Sequence, residues 1–271
     1  MAVCQEHGLD ASNSVALDAV GVDVGNTRIK LYPIALASPK ATQDFHSRLS
    51  TECRSPEKLL ELVTEAWGQL PKRWHVVSVD PSFASGFKRI AGARERDVVV
   101  WNADHPLPIS HPYAQAEKLG VDRLLGALAA HHLHPQVDVI VVDAGTAVTV
   151  DVVCADGTFA GGAIAPGLLS LSESLARSGR QLPRVDPLQR ADYPGVSTDA
   201  CLSVGIRAAF DGALTQLVSA ALESVPNAVI VVTGGDGAAA AEALQDHDVE
   251  QVPALIHIGF HELESHLAAE E

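Results

Sequence analysis

Residues 19–34 read AVGVDVGNTRIKLYPI, and residues 137–153 read VDVIVVDAGTAVTVDVV. Each is an apolar, β-branched run that ends in Asp, passes through a Gly turn followed by Thr, and resumes as a second apolar run. That is the pattern of two strands joined by a tight turn. One Asp-to-Gly turn is weak evidence, because such turns are common in hairpins. Here the device recurs, at Asp23-Val24-Gly25-Asn26-Thr27 and at Asp143-Ala144-Gly145-Thr146, 120 residues on. Strand, Asp, Gly turn, Thr, strand, occurring twice with matching flanks, predicts two related α/β half-domains.

Working outward, Ser55-Pro56 caps a helix whose apolar Leu59, Leu60, Leu62, Val63 and Ala66 follow helical spacing up to Leu70. Val76–Val79 and Val98–Trp101 are short apolar runs of the kind found in buried parallel strands. Residues 102–116 are rich in Pro and His and read as a loop. Asp122–Leu133 reads as an Ala/Leu helix, and loop and helix together join the halves. Beyond the second hairpin, the turn Ala155-Asp156-Gly157 precedes a 161–167 loop. Helices follow at Leu168–Arg177 and Thr198–Ser224, then a strand at Ala228–Val232, a Gly-rich turn at 234–237 and a helix at Ala238–Leu244. The division predicted is a disordered extension over 1–17, an N-terminal half over 18–135 and a C-terminal half over 136–271.

Apolar residues make up 47% of the 271 and charged residues 20%, a balance that supports globular cores. With 34 acidic against 19 basic residues the net charge is −15. Such a surface repels nucleic-acid phosphates and anionic lipid heads, so neither is an expected partner. An anionic substrate has to be received locally, by backbone N–H groups, a helix N-terminus or a metal ion. No apolar run reaches the roughly 20 residues that cross a bilayer. Cys4, Cys53, Cys154 and Cys201 form no CxxC pair, which points away from zinc and disulfide frameworks and towards a reducing cytoplasm. His131, His132 and His134, at a helix end beside Pro135, read as a solvated terminus rather than a metal site.

A nucleoside triphosphate needs N–H donors close to its oxygens and a carboxylate for the divalent metal that bridges them. The Gly25 turn lets backbone approach phosphate, Asn26 and Thr27 add short polar groups, and Asp23 at its strand end supplies the carboxylate. The bland reading is that Asp23 caps a turn. Asp143 and Thr146 repeat the arrangement, for a cation and a phosphate. Thr233-Gly234-Gly235-Asp236-Gly237, between strand and helix, suits the ribose or adenine end of a nucleotide. No Walker A and no GxGxxG sequence is present. Phosphoryl transfer also needs a carboxylate beside the acceptor hydroxyl. Asp122 in Gly120-Val121-Asp122-Arg123 is the candidate, at a helix start where the dipole favours negative charge. The same position also suits an ordinary N-cap.

The segments DVGNTRIK (23–30), GVDR (120–123), DAGTA (143–147), GGAIAPG (161–167) and TGGD (233–236), in that order, resemble the motif set of type III pantothenate kinases, within the actin-like ATPase superfamily. The resemblance implies two duplicated actin-like (ribonuclease H-like) domains with a cleft between them, and ATP-dependent phosphorylation of pantothenate with Mg2+ and a monovalent cation, K+ or NH4+. It implies that Asp23, Val24, Gly25, Asn26, Thr27, Arg28, Ile29 and Lys30 lie on the ATP phosphates, with Thr146 also contacting ATP. Asp122 would take the proton of the pantothenate hydroxyl. Tyr113, Gly120, Val121, Arg123 and Thr198 would contact pantothenate, Thr198 from the partner subunit of a homodimer whose active site lies near the interface. Asp143 would bind the monovalent cation. The chain departs from the family at Gln115-Ala116, where Asn-Pro is usual, and at Val196-Ser197, where Lys-Asn is. Two other readings stay open: another small-molecule kinase of the superfamily, and a non-catalytic regulatory protein of the same fold.

Overall fold

The structure is a computed structural model, and it describes residues 17–25, 27–35, 49–102, 106–179 and 182–270. The predicted extension, apart from Leu17, and the predicted site residue Asn26 lie outside the described residues. The chain forms two compact units. One comprises residues 1–132 with 254–271, the other residues 133–253.

In the first unit a hairpin of β1 (Ala19–Val24) and β2 (Ile29–Ile34) is extended by β3 (Leu49–Thr51) on one side. Parallel strands β4 (Arg73–Ser78) and β5 (Asp97–Trp101) extend it on the other, in the order β3-β2-β1-β4-β5. Strand alternation sorts the side chains of β1 between two faces. Val20, Val22 and Val24 enter a core with Leu59, Val63, Phe83 and Phe87, from helices α1 (Pro56–Trp67) and α2 (Pro81–Gly92). The other face carries Gly21 and Asp23. There the ring of Phe260 occupies the space that a Cβ on Gly21 would need.

The second unit repeats the plan. Its hairpin, β6 (Val139–Ala144) and β7 (Ala147–Val153), is flanked by β8 (Phe159–Pro166), β9 (Val229–Thr233) and β10 (Val249–Gln251), in the order β10-β9-β6-β7-β8. Numbered within each half, both sheets run 3-2-1-4-5. In both, the first pairing is antiparallel and the pairing of first with fourth is parallel. Asp23 is the penultimate residue of β1 and Asp143 the penultimate residue of β6. The repeat seen in two sequence stretches is thus a repeat of whole topology.

The remaining helices are α3 (Val121–Leu133), α4 (Leu168–Ser178), α5 (Thr198–Ser224), α6 (Gly237–Ala243) and α7 (Leu255–Glu270). Phe210, Leu214 and Val218 of α5 share a core with Val142, Val150 and Val232. Several elements, α2, β3 and β10 among them, are absent from the sequence reading, and two further features differ from it. Residues 161–167 were expected as a loop, but all except Gly167 belong to strand β8, in register with β7. Gly162 is needed there because a Cβ would overlap the backbone of Val150 and Asp151. The second difference is α7, which lies at the end of the C-terminal half yet packs on β1, β2 and β4. The last stretch of chain, residues 254–271, belongs with the first unit.

Candidate active site

Asp23 stands at the carboxyl end of β1, 9% exposed, opposite Lys30 of β2. Lys30 Nζ lies 3.5 Å from Asp23 Oδ2. Burial pushes the Asp23 carboxyl above its ordinary value; Lys30 pulls it down, and the charge of Asp122 adds to the rise. Two carboxylates from different elements therefore share one electrostatic environment.

The turn after β1 closes by Gly25 N–H donating to Arg28 O, 3.0 Å. From outside the turn, Arg54 Nη2 donates to Gly25 O at 2.7 Å. Thr27 and Arg28 are exposed, and Arg28 lies 3.8 Å from Glu52. Val24 and Ile29 are wholly buried in the core of the first unit. Of the predicted 23–30 set, these two have no surface that a ligand could reach.

Asp122 occupies the first turn of α3, and its Oδ1 accepts from Arg123 N–H at 2.9 Å. A Cβ on Gly120 would lie 2.6 Å from that same oxygen, so the carboxylate is folded back over a glycine. Tyr113 is partly buried and packs edge-on against His111, centroids 6.1 Å apart. Between Tyr113 and Gly120, the altered Gln115-Ala116 leads into a single 3-10 turn, Ala116–Lys118. Asp122 and Asp23 are thus brought together.

In the second unit, Asp143 pairs with Thr149 of β7 and Thr233 of β9. Gly234, at φ 95°, approaches so closely that a Cβ would overlap Asp143 Oδ1 and Ala144 O. Asp236 N–H donates to Ala144 O at 2.9 Å, and burial raises the Asp236 carboxyl. The Thr233–Gly237 segment thus packs directly against the Asp143 turn. Sequence reasoning had given it a separate task at the far end of the nucleotide. Thr146 is exposed, and its carbonyl accepts from Gly167 N–H at 3.1 Å and from Ser170 Oγ at 2.5 Å. The predicted 161–167 motif therefore ends against the same turn. Thr198 is the exposed first residue of α5, behind an N-cap at Ser197 that accepts from Ala200 N–H.

Two histidines near the end of α3 lie beside carboxylates, His132 Nδ1 2.9 Å from Glu262 and His134 Nε2 3.1 Å from Glu250. Among the described residues no group of three His, Cys, Asp or Glu side chains could hold a metal. Among those same described residues no helix is long and apolar enough to cross a membrane. A cavity of about 730 Å³ runs along the edge strand β5, bordered by Ser78, Lys88, Trp101 and Leu267, and holds none of the predicted site residues. Sequence reasoning missed Arg54, since its partner Gly25 is 29 residues away and no local pattern marks the pair.

Duplicated 3-2-1-4-5 sheets, each with an Asp at the penultimate position of its first strand, are the frame of the actin-like ATPases and sugar kinases. A conserved Campylobacter jejuni protein described as a Baf family transcriptional activator shares this fold with a TM-score of 0.57, at 17% identity, over 92% of this chain and 99% of that one. So does a ROK family glucokinase from Streptomyces griseus solved with glucose and AMPPNP, with a TM-score of 0.52, at 10% identity, over 90% and 98%. Within that class the chain belongs to the type III pantothenate kinase family, whose sequence profile matches residues 19–220. The type III pantothenate kinase of Rhodopirellula baltica is 33% identical over 267 residues, 88% of this chain and 95% of that protein.

Proposed function

We propose that the chain transfers the γ-phosphoryl group of ATP to the hydroxyl of pantothenate, giving 4′-phosphopantothenate, the opening step of coenzyme A synthesis. The observation that carries this reading is the family match over residues 19–220, with Asp23 at the end of β1 and Asp122 in the first turn of α3. One carboxylate sits beside a Gly turn suited to phosphate, the other at a helix start suited to an acceptor. Asp122 takes the proton of the attacking hydroxyl as the new O–P bond forms and the bond from the γ-phosphorus to the bridging oxygen breaks, releasing ADP. Family membership supports ATP and Mg2+. The donor set fits Mg2+: a lone or paired carboxylate suits an ion that keeps its waters and takes further oxygens from the phosphates. Asp23 would hold it, and it would neutralise charge on those phosphates. Thr27, Arg28, Lys30 and the main chain of the turn from Gly25 to Arg28, Asn26 included, would bind the phosphates, with Thr146 a further ATP contact.

The acceptor's contacts in this reading are Tyr113, Gly120, Val121 and Arg123. Asp143 would bind the monovalent cation, K+ or NH4+; Gly234 lets the backbone come close to its carboxylate and to the carbonyl oxygen of Ala144. Thr198 would reach pantothenate from the partner subunit of a homodimer. Support comes from the exposed apolar side chains beside it: Leu188, Tyr193 and Val196 are 62%, 86% and 95% exposed. The free thiols Cys53, Cys154 and Cys201 suit the cytoplasm.

The test is ATP consumption measured with and without pantothenate, and with and without K+. Turnover is expected only when pantothenate is present, and it should rise with K+. Asp122→Asn is expected to lower kcat by at least about a hundredfold, the contribution of a positioned base, with an unchanged melting temperature. ATP turnover indifferent to pantothenate would sink the substrate assignment.

A further inference from the structure

We propose that Arg54 is a positioning residue for ATP: it holds the turn after β1 in its phosphate-receiving shape. The inference rests on the reading of that turn as the phosphate site. Arg54 lies immediately before the N-cap of α1, outside the hairpin it contacts. One arm of its guanidinium, Nη2, donates to Gly25 O at 2.7 Å, a short charge-assisted bond. The other, Nη1, lies 3.8 Å from Asp80 Oδ2. Asp80 is itself anchored: its Oδ1 accepts from Ser82 N–H and Phe83 N–H at the start of α2.

A chain of fixed contacts thus runs from the capped end of α2, through a planar fork, to one carbonyl of the turn. A peptide unit is rigid and planar. Holding its carbonyl oxygen therefore fixes how the unit after Gly25 is turned, and a phosphate turn works only if its N–H groups face the ligand. Inside the turn, Gly25 N–H is already committed to Arg28 O at 3.0 Å. Arg54 supplies the hold from the opposite side. Glycine, which favours no single backbone conformation, is the position that most needs it.

Two further properties suit the role. The Arg54 side chain is 35% exposed and its Asp80 partner 39%, so the contact adds little to fold stability. The planar fork is also what lets one side chain engage a carbonyl and a carboxylate together; lysine has the charge without the fork.

The test is steady-state kinetics of Arg54→Met, Arg54→Lys and Asp23→Asn, with MgATP and pantothenate varied separately and a thermal melt of each variant. Arg54→Met is expected to raise KM for MgATP by about tenfold, as for loss of one charge-assisted hydrogen bond. KM for pantothenate should stay within about twofold, with the melting temperature nearly unchanged. Arg54→Lys should recover only part of the loss. If Arg54→Met leaves KM for MgATP within about twofold while Asp23→Asn impairs it, the role of Arg54 is refuted and the phosphate site stands. If both KM values rise together and the melting temperature falls, Arg54 is a general structural residue and the proposal fails. If Asp23→Asn has no effect on MgATP, the phosphate-site reading fails and takes the proposal with it.

Discussion

Gly120 has no side chain, and the Asp122 carboxylate uses the space. A Cβ there would lie 2.6 Å from Asp122 Oδ1, so Gly120→Ala must push the carboxylate aside. The obstacle is the end of a side chain rather than backbone, so the fold should survive. Small displacements of a catalytic group are costly. Gly120→Ala is expected to lower kcat by roughly tenfold to a hundredfold with an unchanged circular dichroism spectrum. Asp23 makes the complementary case. Its carboxyl is held above the ordinary value of 3.8, first by burial. A carboxyl that binds its proton more tightly when folded stabilises the fold at low pH, and that stability is lost as pH rises from 3.8 through the folded value. Asn carries no charge to desolvate. The nucleotide-free, metal-free Asp23→Asn protein should therefore melt higher than the parent at pH 7, the two curves converging below pH ~3, while MgATP turnover collapses. Such a trade of stability against activity is the signature of a functional carboxylate rather than a turn cap.

At the scale of elements, α7 is the piece that joins the end of the chain to the first sheet. Phe260 lies in the space left by Gly21, and Gly259 approaches α3 so closely that a Cβ would stand 2.7 Å from Leu125 O. A polar tie secures the same contact. His75 Nε2 donates to Glu264 Oε2 at 2.7 Å, because its Nδ1 already accepts from Trp101 Nε1–H at 3.0 Å. Arg73 stands 3.3 Å from Glu264 and 2.7 Å from Asp97. Burial raises the Glu264 carboxyl, but His75 and Arg73 outweigh it and leave it below the ordinary value of 4.5. Its stabilisation is therefore present above pH 4.5 and lost as pH falls through the folded value. Glu264→Ala should cost about 3 kcal/mol at pH 7 in urea unfolding, with the difference narrowing on acidification. The sequence revealed little of this. The hairpins, α1 with its Ser55 cap and α5 were legible because turn chemistry, caps and apolar spacing are local. The partners of α7 and Arg54 are distant in the chain, and β8 read as a loop because its glycines answer to crowding by a neighbouring strand. At the site, the position of Asp122 was legible from its motif. The fold of its carboxylate over Gly120, and the packing of Gly234 on Asp143, depend on contacts that no spacing reveals.

At the scale of the whole molecule, the proposed homodimer is tested through the second unit. Thr198 is the exposed first residue of α5, and Leu188, Tyr193 and Val196 leave apolar surface in the segment that leads to it. If Thr198 serves the site of the partner, two inactive variants can repair each other. One chain carries Asp122→Asn and keeps Thr198; the other keeps Asp122 and carries Thr198→Trp. In a mixed homodimer with twofold symmetry, one site then combines the intact Asp122 of one chain with the intact Thr198 of the other, and the second site lacks both. Random exchange makes half the dimers mixed, each with one working site, so activity should recover to about a quarter of the parent value. Were Thr198 to serve its own chain's site, every site in the mixture would hold one lesion and no activity would return. Sedimentation before and after mixing measures exchange independently. Recovery in proportion to the mixed species supports Thr198 acting across the interface, and absence of recovery despite exchange refutes it.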